Sequence, residues 1–345
     1  MKVAVVGATG AVGQLLLKTL ERRGFKADEI VPFASERSAG KELPGYGTIQ
    51  PLTEETVKGF DIALFSAGGS TSKAWAEKFV AGGATVVDNS SAWRKDDRVP
   101  LVVSEVNPEA IALATSPEGR GIVANPNCTT MVMMLPLKAL HDQFGLTAMV
   151  ATSYQAAGGA GQSGIDELAS QAPIVGADVD RLVNDGAAAA ATVTPSTFAK
   201  TIAYNVIPLL GTIGEEGYTD EELKMRDESR KILGVPDLAV APTCVRVPVM
   251  VGHSIEVRAT FAQEVDLDAA LKALAAFPNL VVEDVPTPLE AAGRDETFVG
   301  RVRRDLTDPK SLNLFVVGDN LLKGAALNTV QLAELVVQQS AAATA

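Results

Sequence analysis

The chain has 345 residues, 47% of them hydrophobic and 21% charged, with a net charge of −12. That length predicts two domains with their own cores, the composition excludes extended disorder, and the acidic balance excludes a basic nucleic-acid footprint and adhesion to anionic membranes. Two cysteines (Cys128, Cys244) and two histidines (His141, His253) cannot furnish a Cys/His zinc site, so no metal is expected, and the cysteine usage reads as a reducing, cytoplasmic compartment.

The apolar opening over 3–6 has the pattern of a central parallel strand. Glycines at 7, 10 and 13 break that run and no cleavage site follows, so it does not read as a signal peptide. No stretch reaches the roughly 20 apolar residues of a membrane-spanning helix. The strand leads into Gly7-Ala8-Thr9-Gly10-Ala11-Val12-Gly13 and an amphipathic helix over 14–23, a G-x-x-G-x-x-G variant of the dinucleotide fingerprint. Gly7 permits the tight turn, Gly10 admits a pyrophosphate to the backbone, and Gly13 lets the helix pack on the strand. A second strand over 29–34 ends at Ser35-Glu36-Arg37-Ser38. A cation and two hydroxyls suit the 2′-phosphate of NADP, although Glu36 suits a free ribose.

Further βα units follow, with strands at 61–65, 84–87 and 122–124 and a helix through 80, which together describe a Rossmann-type, doubly wound parallel sheet. Asn125-Pro126-Asn127-Cys128-Thr129-Thr130 then joins the last strand to a helical run over 131–144. This puts Cys128 on the first turn of a helix, where amide N–H groups and the dipole favour a thiolate. Locally it reads equally as a nucleophile or as a small buried apolar residue. Its place at the ligand-binding edge of the sheet favours the nucleophile.

After a strand over 148–154 comes Gln155, then a glycine-rich stretch with Gly158 and Gly159 that allows a ligand close to the backbone or serves as a flexible turn. The segment 171–218 shows little periodicity; its fold stays open, with subunit contact as the suggested role. A helix over 219–233 carries Glu221 and Lys224 three apart on one face, a spacing that elsewhere is a surface ion pair. Strand-like segments over 238–250 and 254–261 carry Arg246 and His253, each read singly as a structural residue. A helix over 267–276 and strands near 280 and at 297–303 and 312–317 complete a mixed sheet. A helix over 325–337 returns to the first domain, with a frayed tail at 340–345. The expected division is a dinucleotide-binding domain, 1–127, completed by 321–345, and an α+β catalytic and dimerisation domain, 128–320.

The combination resembles the aspartate-β-semialdehyde dehydrogenase family. The matching stretches are the glycine loop, Pro126-Asn127-Cys128-Thr129, Tyr154-Gln155-Ala156, Glu221 with Lys224, Cys244-Val245-Arg246-Val247-Pro248, Gly252-His253-Ser254, and Asp319-Asn320-Leu321-Leu322-Lys323-Gly324-Ala325-Ala326. They cover almost the whole chain. The resemblance implies that Cys128 forms a thioester with the acyl group, His253 is the acid/base and Gln155 orients the substrate. It further implies that Arg246 pairs with the α-carboxylate, Glu221 faces the amino group, Lys224 and Arg94 hold the phosphate, and Asn127 lies at the substrate. Thr9, Gly10, Ala11, Val12, Arg37, Ser38, Gly158, Gly159 and Asn320 fall at cofactor positions, beside Gly7 and Ser35. Gly158 stands where the family often has serine, so one hydroxyl contact to the cofactor is not expected here.

Those residue types suit the chemistry. A thiolate attacks an acyl phosphate to give a thioester that accepts hydride, and histidine manages protons near neutral pH. The expected activity is reductive dephosphorylation of L-aspartyl 4-phosphate to L-aspartate 4-semialdehyde with NADPH, releasing phosphate, in lysine, methionine and threonine biosynthesis. The resemblance further implies a homodimer or a dimer of dimers. An N-acetyl-glutamyl-phosphate reductase is disfavoured by Glu221, and a glyceraldehyde-phosphate dehydrogenase by the 125 positions between Cys128 and His253. A non-catalytic NADP sensor would not need Gln155, Glu221, Lys224, Arg246 and His253 together. No Tyr precedes a Lys by four residues and no G-x-S-x-G is present, which speaks against a short-chain dehydrogenase and a serine hydrolase.

Overall fold

The computed structural model describes residues 1–344. Contacts divide the chain into two units. One comprises Met1–Asn127, Lys231–Gly234 and the segment from Leu322; the other comprises Cys128–Arg230 and Val235–Leu321.

The first unit contains β1 (Lys2–Val6), β2 (Glu29–Phe33), a small hairpin of β3 (Glu42–Leu43) and β4 (Gly47–Thr48), then β5 (Ile62–Phe65), β6 (Thr85–Asp88) and β7 (Ile122–Ala124). The main sheet has the order β2-β1-β5-β6-β7 with every pair parallel. Chain order reverses at β1, so a crevice opens at the carboxyl ends of β1 and β5, where such sheets bind ligands. Gly7 fills this turn at φ +88, and a Cβ there would lie 2.4 Å from the Ser66 carbonyl oxygen. At Gly13 a Cβ would come within 2.0 Å of the Gly7 oxygen, which makes the close approach of the helix to the turn that follows β1 the reason for that glycine.

The first helix, Ala11–Arg22, begins earlier than the periodicity predicts. Extended Gly10 caps it and the Gln14 amide bonds back to the Gly10 carbonyl, so Ala11, Val12 and Gly13 are already helical. Leu16, Leu17 and Leu20 from this helix join Val3, Val5 and Leu64 of the sheet and Val330, Ala333 and Val336 of the C-terminal helix in one core. At about 2 kcal/mol for each such buried side chain, the C-terminal helix is an integral part of this unit. It spans Leu327–Thr344 behind a π-type turn at Leu322–Ala326; the expected tail is thus helical as far as Thr344, and Ala345 lies outside the described residues.

The second unit is built on β8 (Leu146–Gln155), β9 (Ala239–Arg246), β10 (His253–Phe261), β11 (Leu280–Val282), β12 (Thr297–Arg304) and β13 (Ser311–Gly318). Its order is β11-β12-β13-β10-β8-β9, with parallel pairs at the two ends and antiparallel pairs between them. The strand expected over 238–250 stops at Arg246, because Pro248 has no N–H for the ladder. Helices Cys128–Phe144 and Leu267–Ala276 cover one face, while Val150 and Tyr154 stand 47% and 36% exposed on the other. The segment left open contains short helices Val179–Asn184 and Gly186–Ala190, and a small core of Leu168, Val175, Ala189, Ile202 and Ile207 holds it.

Candidate active site

The register of the mixed sheet collects the candidate residues at one end. His253 pairs with Gly318, Ser254 with Tyr154, and Gln155 with Arg246. His253 is the first residue of β10 and follows Gly252, whose φ of +100 and contact with Pro288 suit only glycine. Cys128 is the first residue of its helix, where the dipole is positive. Its Sγ lies 3.2 Å from Nε2 of His253.

The Ala156 amide donates to Nδ1 of His253 at 3.0 Å. Nδ1 is therefore an acceptor, and the proton of the neutral ring sits on Nε2, facing the sulfur. Complete burial, with the Arg246 charge added, holds the His253 pKa well below 6.5. An imidazolium would place two N–H groups head to head at Ala156, so geometry and electrostatics agree on a neutral ring.

Around this pair, Gln155 Nε2 donates to Ser153 Oγ at 3.3 Å and to Glu221 Oε1 at 3.3 Å. Lys224 Nζ bonds Glu221 at 3.1 Å and Asp220 at 2.8 Å. Burial works against this ammonium, but the two carboxylates outweigh it and its pKa is raised. Arg246 donates from Nη1 to the Ala156 carbonyl at 2.6 Å. Burial lowers its pKa, and Cys128 and Glu221 oppose the shift. Gly158 and Gly159 lie in the turn Ala157–Ala160. A Cβ on Gly159 would come 2.7 Å from Arg246 Nη1 and 3.1 Å from the His253 ring, so any side chain there would push both site residues aside. Cys244 is buried, its thiol pushed up to about 12 chiefly by desolvation, and makes no disulfide. Asn320 accepts from the Gly252 amide at 2.9 Å, and its buried Nδ2 has no hydrogen-bond partner among the described residues.

In the first unit, Gly7, Thr9, Gly10, Ser35 and Arg37 line a cavity of about 740 Å³ together with Glu36, Pro51, Thr53, Thr71 and Trp75. Ala11 and Val12 open the adjoining helix, and the Ser38 amide folds back onto the Ser35 carbonyl. Arg94 and Asn127 are both buried. Arg94 donates from Nε to the Asn125 carbonyl at 2.9 Å and from Nη2 to the Asn89 carbonyl at 3.0 Å.

Several contributors escape sequence reasoning. Glu222 closes a capping box with Thr219 and also accepts the Cys244 amide at 3.1 Å, tying the start of the helix to β9. Its Thr-x-x-Glu spacing was a legible signal. Lys231 donates to the carbonyls of Arg94, Asp96 and Val99, and no local pattern announces that. Phe198, from the unassigned segment, lies 5.5 Å from the Arg246 guanidinium. Among the described residues, no helix is long and apolar enough to cross a membrane, and no group of three or more His, Cys, Asp or Glu is arranged to hold a metal.

Residues 2–114 match the family model described as semialdehyde dehydrogenase, NAD binding domain, and residues 137–323 the one described as semialdehyde dehydrogenase, dimerisation domain. An aspartate-semialdehyde dehydrogenase of Streptomyces akiyoshiensis is 51% identical over 341 residues, covering 98% of this chain and 99% of that protein. One from Corynebacterium glutamicum is 52% identical over 347 residues, covering 97% and 99%. The crystal structure of aspartate semialdehyde dehydrogenase II from Vibrio cholerae, complexed with ASA, is 41% identical and superposes with a TM-score of 0.88 over 98% of each chain. With both models matched and relatives about half identical along nearly its whole length, the chain belongs to the aspartate-semialdehyde dehydrogenase family.

Proposed function

We propose that this chain reduces L-aspartyl 4-phosphate to L-aspartate 4-semialdehyde with release of phosphate, through a thioester on Cys128 and with NADPH as reductant. The observation that carries the reading is the Cys128–His253 contact of 3.2 Å, with Gln155, Glu221 and Arg246 gathered around it. The Cys128 thiolate attacks the acyl carbon and phosphate leaves with the bonding pair. His253 holds its proton at Nε2, where it meets first the sulfur and then the oxyanion of the tetrahedral intermediate. Gln155, held by Ser153, orients the acyl group. Arg246 takes the α-carboxylate through its planar fork, and Glu221 takes the ammonium. The phosphate is assigned to Lys224 and Arg94, and Asn127 to the substrate's immediate surroundings.

A nicotinamide dinucleotide fits the residues present. The cavity of about 740 Å³ at the glycine turn is large enough for the adenosine half, and the buried Nδ2 of Asn320 is a donor left for a ligand. When bound, this cofactor supplies the hydride. Gly7, Thr9, Gly10, Ala11 and Val12 would hold the pyrophosphate, with Gly158, Gly159 and Asn320 toward the nicotinamide. NADP is favoured because Ser35 and Arg37 line the cavity beside Ser38.

The dinucleotide is assigned to 1–127 with 321–345, and catalysis and dimerisation to 128–320. The exposed sheet face bearing Val150 and Tyr154 suits a homodimer, and pairs of dimers would give a tetramer. A working thiol fits the cytoplasm, and the product feeds lysine, methionine and threonine synthesis.

The test follows nicotinamide absorbance with purified protein, L-aspartate 4-semialdehyde and phosphate. Phosphate-dependent reduction of NADP that is lost on alkylating Cys128 is expected. Reduction without phosphate, or activity that survives alkylation, would overturn the thioester route.

A further inference from the structure

The segment from Ser196 to Ile207 has no regular structure, yet it is held at three points, two of them by buried side chains and one by backbone hydrogen bonds. Glu167 and Gln171, one turn apart on the helix Gln162–Val175, are 7% and 2% exposed. Glu167 accepts from the Ser196 amide at 3.2 Å, from the Ser196 hydroxyl at 2.8 Å and from the Thr197 amide. Gln171 accepts from the amides of Ile202 at 3.0 Å and Ala203 at 3.4 Å, and its own amide group donates to Glu167 at 2.9 Å. Further along, Ile207 exchanges both backbone hydrogen bonds with Arg246, at 2.9 and 2.8 Å. The segment is a strap tied to one helix face and to Arg246 itself.

What the strap presents between its ties is Phe198. The ring lies 5.5 Å from the Arg246 guanidinium, and its Cζ is the third obstacle, at 3.1 Å, that a Cβ on Gly164 would meet after the Ala157 carbonyl oxygen at 2.3 Å and the Ala160 methyl at 2.9 Å. Phe198 and Arg246, with Ala160, Leu209, Leu210 and Gly211, also line a cavity of about 280 Å³. Arg246 is thus braced by the Ala156 carbonyl on Nη1 and by an aromatic ring beside the guanidinium, an arrangement that fixes its plane.

We propose that Phe198 is a positioning residue for substrate recognition: the strap lays its ring against Arg246 and sets the guanidinium in the plane that grips the substrate's α-carboxylate. This rests on the proposed carboxylate role of Arg246. A ring beside a desolvated guanidinium is worth about a 3- to 30-fold difference in binding.

The experiment is steady-state kinetics of Phe198→Leu, Phe198→Tyr and Arg246→Lys with varied L-aspartate 4-semialdehyde, phosphate and NADP. Phe198→Leu is expected to raise KM for the semialdehyde by about 3- to 30-fold, with kcat and both other KM values within about twofold. Phe198→Tyr, which keeps the ring face, should match the parent. An unchanged semialdehyde KM in Phe198→Leu, or a parallel rise in the phosphate KM, overturns the proposal. A raised KM in Arg246→Lys alongside an unchanged one in Phe198→Leu overturns the strap alone. No effect in Arg246→Lys overturns the carboxylate reading and the strap with it. Should Phe198→Leu lose cooperative melting, Phe198→Met is read by the same criteria.

Discussion

The sulfur of Cys128 and Nε2 of His253 stand 3.2 Å apart, and the ring's other nitrogen is occupied by the Ala156 amide. The proton that faces the sulfur is therefore donated by a neutral imidazole, in contrast to a thiolate–imidazolium pair. A hydrogen bond to a charged acceptor contributes about 1.5–3 kcal/mol. Replacing His253 by Phe should accordingly slow alkylation of Cys128 by iodoacetamide at pH 7 by roughly tenfold or more. Equal alkylation rates in parent and variant would mean that the ring does not stabilise the thiolate.

The depressed pKa of His253 also sets a pH dependence of stability. Above 6.5 the folded and unfolded states both keep the ring neutral. As pH falls through 6.5 the unfolded chain binds a proton that the folded chain refuses, and stability declines until the lower folded pKa is reached. The slope from this residue is about 1.4 kcal/mol per pH unit. Unfolding free energies of the parent and of His253→Phe, obtained from urea titrations between pH 7 and 5.5, should diverge with a slope that approaches about that amount at the acid end. Parallel curves would show that the folded ring titrates normally.

How much of this was legible depended on whether the signal was local. The strand, glycine turn and helix at the N-terminus lie within 22 residues, and Gly7 and Gly13 there each answer to a clash visible in the fold, whereas a Cβ on Gly10 would meet only the Gly7 oxygen at 3.4 Å. Cys128 at a helix start was equally local. By contrast, His253 and Arg246 read singly as structural, because the register that places them beside Gln155 belongs to the sheet and not to either strand. The segment around Phe198 lacks periodicity because side chains of a distant helix satisfy its amides, so no repeat of its own is needed. Lys231 is silent for a similar reason: its partners are backbone carbonyls, which leave no trace in side-chain pattern.

The two glycines of the turn after Gln155 should respond differently. At Gly159 a methyl group meets Arg246 Nη1 and the His253 ring, so Gly159→Ala displaces two site residues at once. A misplacement near 1 Å costs about 100-fold in rate, and kcat/KM should fall by that order with a melting temperature close to the parent's. At Gly158 the obstacle is the Met250 carbonyl oxygen at 2.8 Å. Gly158→Ser should therefore destabilise the chain by about 1–3 kcal/mol, even though serine is the residue that the family resemblance leads one to expect there. A serine variant as stable as the parent would show that this backbone yields easily.

Lys231 should behave as a structural lysine with a kinetic consequence. Its ammonium satisfies three carbonyls at 2.8–2.9 Å in the loop that bears Arg94. Lys231→Met keeps the stem and removes the donors, and leaving such acceptors unpaired costs about 1–3 kcal/mol each where water cannot reach them. The expected outcome is a lower urea midpoint together with a raised KM for phosphate, since Arg94 loses its support. A destabilised variant whose phosphate KM is unchanged would detach Arg94 from the phosphate role.

The proposed preference for NADP can be tested at two neighbours of opposite charge. Glu36 and Arg37 both line the cavity at the glycine turn, so a 2′-phosphate meets attraction from one and repulsion from the other. Arg37→Ser removes the only cation of that pair. It should raise KM for NADP by about tenfold, the worth of a charge-assisted hydrogen bond to phosphate, while leaving KM for NAD within about twofold. Glu36→Gln should act in the opposite sense, lowering KM for NADP and raising KM for NAD, since the ribose hydroxyls lose a carboxylate acceptor. If neither substitution changes the ratio of the two KM values, the 2′-phosphate is recognised elsewhere, and Ser35 and Ser38 become the residues to replace next.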